Sequence, residues 1–150
     1  MQKHMSRILI TQGVMFLAIA SLAAGSHGIS SRSILVGDSE GWHAGTNYTQ
    51  WSIKNSPFRI NDTLVFKYPP PGNSTVAQSV YLLPNMWSYM TCEFRGAKLL
   101  GSPVQGVGEG LKIQLNQWKK PYYFASAEGN AYDCIAGLNK FIAVPSTRSF

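Results

Sequence analysis

Apolar residues recur at every second position over two stretches of the chain. Phe58, Ile60, Leu64, Phe66 and Tyr68 keep one parity, and Leu111, Ile113 and Leu115 alternate with Lys112, Gln114 and Asn116. Successive side chains of a strand point to opposite faces, so this period marks strands buried on one side. Asn61 and Asp62 interrupt the first stretch with turn chemistry, which predicts a hairpin over residues 58–68. Residues 34–36, 80–83 and 141–144 are apolar runs of strand length.

Breakers lie between these runs: Pro69-Pro70-Pro71-Gly72-Asn73, Pro84-Asn85, Gly101-Ser102-Pro103 and the glycines of residues 106–110. Short strands separated by turns predict an all-β sandwich or barrel. One short helix is expected over residues 85–95, where Met86, Trp87, Met90 and Phe94 fall at helical spacing and are read as a core-facing stripe. Of the other tryptophans, Trp51 is read as core, and Trp42 and Trp118 as surface.

The first residues change the picture of where the domain starts. Lys3, His4 and Arg7 precede an apolar stretch ending near Ala24, and small residues follow. That is the pattern of a secretory signal over residues 1–28, cleaved between 23 and 28, with a single domain over residues 29–145 and a short tail over 146–150. A membrane anchor is the alternative reading. It is weakened by Thr11, Gln12 and Gly13, and by a stretch that is marginal against the ~20 apolar residues a span needs. Residues 144–150 lack the hydrophobic tail of a lipid-anchor signal, so a soluble exported product is expected, unless a linker and anchor have been lost.

From residue 29 onward, eleven Lys and Arg stand against seven Asp and Glu, a balance of +4. The basic residues are scattered, with Lys119-Lys120 the one adjacent pair, so no stripe exists to track a nucleic-acid backbone. Cys92 and Cys134 are the two cysteines, and in an exported chain an even count reads as one structural disulfide. Closing that loop contributes about 4 kcal/mol on the chain-entropy model. Three sequons, at Asn47, Asn61 and Asn73, have turn-forming neighbours and are candidate N-glycosylation sites.

Catalytic patterns fail on inspection. Gly37-Asp38-Ser39-Glu40-Gly41 matches a nucleophile elbow, but Gly41, Gly45 and Asn47 break the helix that must follow, and His43 lies four residues from Ser39. Gly106-Val107-Gly108-Glu109-Gly110 resembles a phosphate loop but leads into an alternating strand instead of a helix. Glu109, Glu128 and Asp133 have no spacing that marks an acid and base pair. No enzyme is expected.

Val36-Gly37-Asp38, Gly41-Trp42, Tyr48, Trp51 and the run from Phe58-Arg59-Ile60-Asn61-Asp62 to Phe66 resemble the opening half of plant phytocyanins. Ser79-Val80-Tyr81-Leu82-Leu83-Pro84, Cys92, Tyr123-Phe124, Cys134 and Gly137 resemble the second half, over residues 34–145 in all. The Tyr-Leu-Leu-Pro run is most similar to the early nodulin-like and uclacyanin branches. The resemblance implies a cupredoxin-like Greek-key β-sandwich with one disulfide. In copper-binding relatives two histidines, a cysteine and an axial methionine or glutamine hold the metal.

The resemblance implies that those four positions fall here on Gln78, Ser126, Asp133 and Leu138. An amide is weakly basic where imidazole is wanted, serine keeps its proton where a thiolate must donate charge, and leucine has no donor. His43 is the single histidine from residue 29 onward, so alignment slips cannot rebuild the set. Gln78 and Asp133 supply too few oxygens for Ca2+ or Mg2+, and are expected to hydrogen-bond with Ser126 or with water. No cofactor is therefore expected.

The expectation is a secreted, monomeric, noncatalytic glycoprotein of the apoplast, possible plasma-membrane association coming through its partners. It would bind a cell-wall polysaccharide or a cell-surface protein rather than nucleic acid. Trp118 beside Lys119 and Lys120 is the candidate glycan contact, an aromatic platform with positive charge. The alternative is blue-copper electron transfer, which the resemblance suggests by association.

Overall fold

A computed structural model describes residues 30–147. The expected signal segment, residues 1–28, lies outside the described residues. Seven strands form two sheets. The first has the order β1-β2-β5, from β1 (Ser33–Leu35), β2 (Thr63–Phe66) and β5 (Leu111–Gln114). The second has the order β4-β3-β6-β7, from β3 (Val80–Leu83), β4 (Lys98–Gly101), β6 (Tyr122–Ala125) and β7 (Lys140–Ala143). Strands distant in sequence are neighbours in both sheets, the Greek-key arrangement that lets two apolar faces close on one core.

The predicted hairpin over residues 58–68 does not form. Asn61 turns the chain with φ 70°, but the arm before it pairs with the far end of the protein, Arg59 bridging to Ser146. The arm after it is β2, which runs parallel to β1 and antiparallel to β5. Asp62 decides this geometry. Its buried carboxylate accepts from the Arg32 amide at 3.0 Å, from Arg32 Nη2 at 2.6 Å and from the Arg59 amide at 2.9 Å. Burial alone would raise this carboxyl, and the Arg32 side chain with the two amides outweighs it, holding Asp62 below its ordinary value.

Three short helices stand where one was expected. Helix α1 (Tyr48–Asn55) starts at Asn47, whose side chain accepts from the Gln50 amide at 3.1 Å, and stops where Ser56 turns extended before Pro57. Helix α2 (Met86–Thr91) lies within the predicted span and is capped by Asn85, which accepts from the Ser88 amide at 2.9 Å. Helix α3 (Tyr132–Ile135) is a single turn entered through Ala131 at φ 66°.

The reading of Met86, Trp87 and Met90 as a core stripe is wrong: all three are exposed, Trp87 by 62%. At 100° per residue, Ser88 and Cys92 lie on the opposite face of the turn from Met86 and Met90. Cys92 must meet Cys134, so α2 turns Ser88 and Cys92 inward and the methionines outward.

Trp42, read as surface, is buried. Its Nε1 donates to the Ser79 carbonyl at 2.9 Å, and its ring lies 4.6 Å from Tyr48 and 5.2 Å from Phe66. Gly41 makes this entry possible. It sits at φ 74°, where a Cβ would come within 2.6 Å of the Lys67 carbonyl oxygen.

Phe141 of β7 is the centre of the core, its ring within 6.3 Å of Trp42, Tyr48, Trp51, Phe66 and Phe124. It therefore ties both sheets to α1. Phe141→Ala is expected to cost about 3–5 kcal/mol through lost transfer energy and an aromatic-lined cavity. Trp87→Ala is expected to stay within about 0.5 kcal/mol of the parent, as exposed positions do. Urea unfolding of the two variants checks both values.

Candidate functional site

One end of the sandwich gathers the polar residues. Gln78 and Ser79 lie just before β3, Ser126 just after β6, Asp133 on α3, and Leu138 and Asn139 in the turn from α3 to β7. Strand pairing of β3 with β6 and of β6 with β7 brings these sequence-distant positions together.

Ser126 is the junction. Its Oγ donates to Asp133 Oδ2 at 3.3 Å and accepts from the Ser79 amide at 3.3 Å and the Glu128 amide at 3.4 Å. Gln78 Oε1 accepts from Asn139 Nδ2 at 2.6 Å, and its amide bonds to the Asp133 carboxyl. The Asn139 backbone completes the tie, its amide donating to the Asp133 carbonyl at 2.8 Å and its carbonyl accepting from the Ser126 amide at 3.0 Å. Gln78, Ser126, Asp133 and Asn139 are all buried, which makes this a polar knot inside an apolar end. Leu138 is exposed and contributes no donor.

Burial pushes the Asp133 carboxyl above its ordinary value, and nearby Glu128 adds to this. The Ser126 hydroxyl and the Gln78 amide oppose the rise without cancelling it. His43 stands at the rim with both ring nitrogens engaged, Nδ1 with the Ala44 carbonyl at 2.8 Å and Nε2 with Thr46 Oγ1 at 3.1 Å. A carbonyl can only accept, so Nδ1 carries the proton and Nε2 accepts from the hydroxyl. Behind it, the Tyr48 hydroxyl accepts from the His43 amide and donates to the Gly41 carbonyl, and burial raises it to about 12.

Cys92 and Cys134 form the disulfide that closes this end of the molecule, with Cα atoms 5.8 Å apart. Among the described residues there is no free cysteine, and no group of three His, Cys, Asp or Glu side chains close enough to hold a metal ion.

The remaining candidates scatter. Ser39 is exposed on a one-turn 3-10 segment, Asp38–Glu40, with no hydrogen bond to His43. The 106–110 loop runs into β5. Glu109 pairs with Lys112 at 2.6 Å, which lowers its carboxyl, while Glu128 lies near Asp133, so the three carboxylates do not assemble. Asn47, Asn61 and Asn73 are all exposed. Trp118 is exposed by 57%, with Lys119 Nζ 4.6 Å from its ring centroid and Lys120 exposed beside them. Asn139 was missed by the sequence reading, because a lone asparagine before a strand has no motif.

No protein-family model matches the chain. Early nodulin-like protein 4 of Arabidopsis thaliana is 30% identical over 114 residues, covering 75% of this chain and 45% of that protein. Blue copper protein 1b of Medicago truncatula is 39% identical over 57 residues, covering 38% of this chain and 35% of its own. Among solved structures, cucumber stellacyanin superimposes with a TM-score of 0.59 at 21% identity over 80% of this chain and all of that one. Cucumber basic protein, a blue copper protein, does so with a TM-score of 0.56 at 24% identity over 75% of this chain and 98% of its own.

The chain is similar in sequence to members of the phytocyanin family. It spans less than half the length of these two curated relatives, and the two structures share its cupredoxin-like fold. The copper named for some of these proteins does not suit this chain's residues. Both its cysteine sulfurs are in the disulfide, both His43 nitrogens have partners, and Ser126 Oγ is committed to three hydrogen bonds. A blue copper ion needs a thiolate and two free imidazoles, and neither kind of donor is free among the described residues.

The Asp133 environment has a measurable consequence. A carboxyl raised in the fold favours the folded state fully below its ordinary value of 3.8, and that advantage is lost as pH rises through the folded value. Asp133→Asn keeps an acceptor for Ser126 without the charge. The variant is expected to be more stable than the parent at pH 7 and to match it at pH 3, as judged by urea midpoints.

Proposed function

We propose that this chain is a phytocyanin that works without copper, as a noncatalytic binding or signalling module at the plant cell surface or wall. The supporting observation is the polar knot: Gln78, Ser126 and Asp133, aligned by family resemblance with former ligand positions, are hydrogen-bonded within the protein. Leu138, the fourth such position, faces solvent. A side chain already satisfied by protein partners gains little from a soft metal, and none of the four is a thiolate, thioether or imidazole. Export through the N-terminal apolar segment and glycosylation at the exposed Asn47, Asn61 and Asn73 belong to the same reading.

The alternative, electron transfer at a blue copper centre, needs a Cu-thiolate bond. Titrating the purified mature protein with Cu2+ near neutral pH is expected to give no intense blue absorption and no tightly held, reducible metal. An intense band at stoichiometric copper would overturn the proposal.

The proposed surface contact is Trp118 with Lys119 and Lys120, for an acidic wall polysaccharide. The ammonium held over the indole puts a positive charge on an aromatic face, which suits a sugar ring carrying a carboxylate. Trp118→Ala combined with Lys119→Ala is expected to weaken binding to polygalacturonate at least tenfold. Unchanged binding in affinity electrophoresis removes this surface from the proposal.

A further inference from the structure

Beside the polar knot, the end of the sandwich opens into a cavity of about 620 Å3, in the size range of small-ligand pockets. Its walls are apolar, with Val76 and Tyr132 exposed at the mouth and Pro69 and Ala44 beside them. Gln78 and Asp133, each 3% exposed, also line it. An exposed aliphatic and an exposed aromatic side chain around a buried carboxylate are a costly surface for a protein to leave in water.

Neutral donors, not cations, meet the polar floor of the cavity. Asp133 Oδ2 takes the Ser126 hydroxyl, and the Gln78 amide also hydrogen-bonds to this carboxylate. Gln78 Oε1 is taken by Asn139, which leaves the amide NH2 as the group it presents beside the carboxylate. The charged group near Asp133 is Glu128, of the same sign. No Lys or Arg lines the cavity, and the His43 ring has both nitrogens engaged. The cavity therefore has an apolar, partly aromatic wall and a negative, acceptor-bearing floor.

We propose that this cavity binds a small aromatic amine, its ring between Val76 and Tyr132 and its ammonium at the Asp133 carboxylate. A cation there offsets the negative charge of Asp133 and Glu128, which no Lys or Arg of the lining does. The same ammonium can approach the Tyr132 ring. An aromatic acid of the same size has the wrong charge for this floor, so selectivity follows from Asp133 and not from the walls. The burial that raises the Asp133 carboxyl is relieved by a bound cation, which returns it towards its ordinary value.

The inference rests on the reading that no metal occupies Gln78 and Asp133. The copper titration above decides that reading without any amine present, so the two can fail separately. The test here is titration of the 15N-labelled mature protein, in EDTA at pH 7, with phenethylamine and with phenylacetate. Phenethylamine is expected to shift the amides of Val76, Gln78, Tyr132 and Asp133 saturably, with phenylacetate at least tenfold weaker. Asp133→Asn is expected to weaken phenethylamine at least tenfold, and Tyr132→Ala, at an exposed wall position outside the core, at least threefold. Equal binding of the two probes, shifts centred elsewhere, no saturable shift, or wild-type affinity in a folded Asp133→Asn protein would each overturn the proposal.

Discussion

The bond between Cys92 and Cys134 joins the C-terminal end of α2 to α3, and much of the molecule's distinctive chemistry follows from where it lies. It sets the rotation of α2, turning Ser88 inward and Met86, Trp87 and Met90 to solvent. It buries Cys134 and, next to it, Asp133, so that a carboxylate is held at the end of an apolar sandwich. It also uses both cysteines of the chain, which leaves no free thiol among the described residues. One covalent constraint thus shapes the packing, the electrostatics and the donor set.

The aromatic core and the polar knot are two sides of one arrangement. Trp42 enters the core because Gly41 lets the backbone approach Lys67, and its indole donates to Ser79, whose amide in turn reaches Ser126. The core therefore holds the rim in register, and the rim satisfies the polar ends of the core strands. In such a structure a buried carboxylate persists because each neighbour has a defined partner. Asn139 Oδ1 is buried without a partner among the described residues, while its Nδ2 donates to Gln78.

Much of the fold was legible in the residues. The alternation of Leu111, Ile113 and Leu115 and the runs at 34–36, 80–83 and 141–144 correspond to β5, β1, β3 and β7, since side-chain periodicity is local. Two cysteines in a chain with export features meant one disulfide, and with both cysteines in it, the one histidine beyond residue 29 cannot make up a set of two histidines and a cysteine. Helices α1 and α3 were not legible. The first is eight residues with a mixed face, the second one turn, and each is held by what it packs against rather than by its own periodicity.

What the tertiary structure alone decided is which side of each element faces in and which polar atoms meet. Trp42 and Trp87 exchanged the places expected of them, because a glycine contact and a disulfide, both between residues distant in sequence, rotate their backbones. Residues 58–68 failed to form a hairpin because Asp62 binds Arg32 and Arg59 at once. Asn139 reaches Gln78 across 61 positions, a distance over which no periodicity carries information. Composition sets which chemistry a chain can perform. The pairing of strands sets which of its atoms are left free to perform it, because that pairing depends on contacts the linear order does not record.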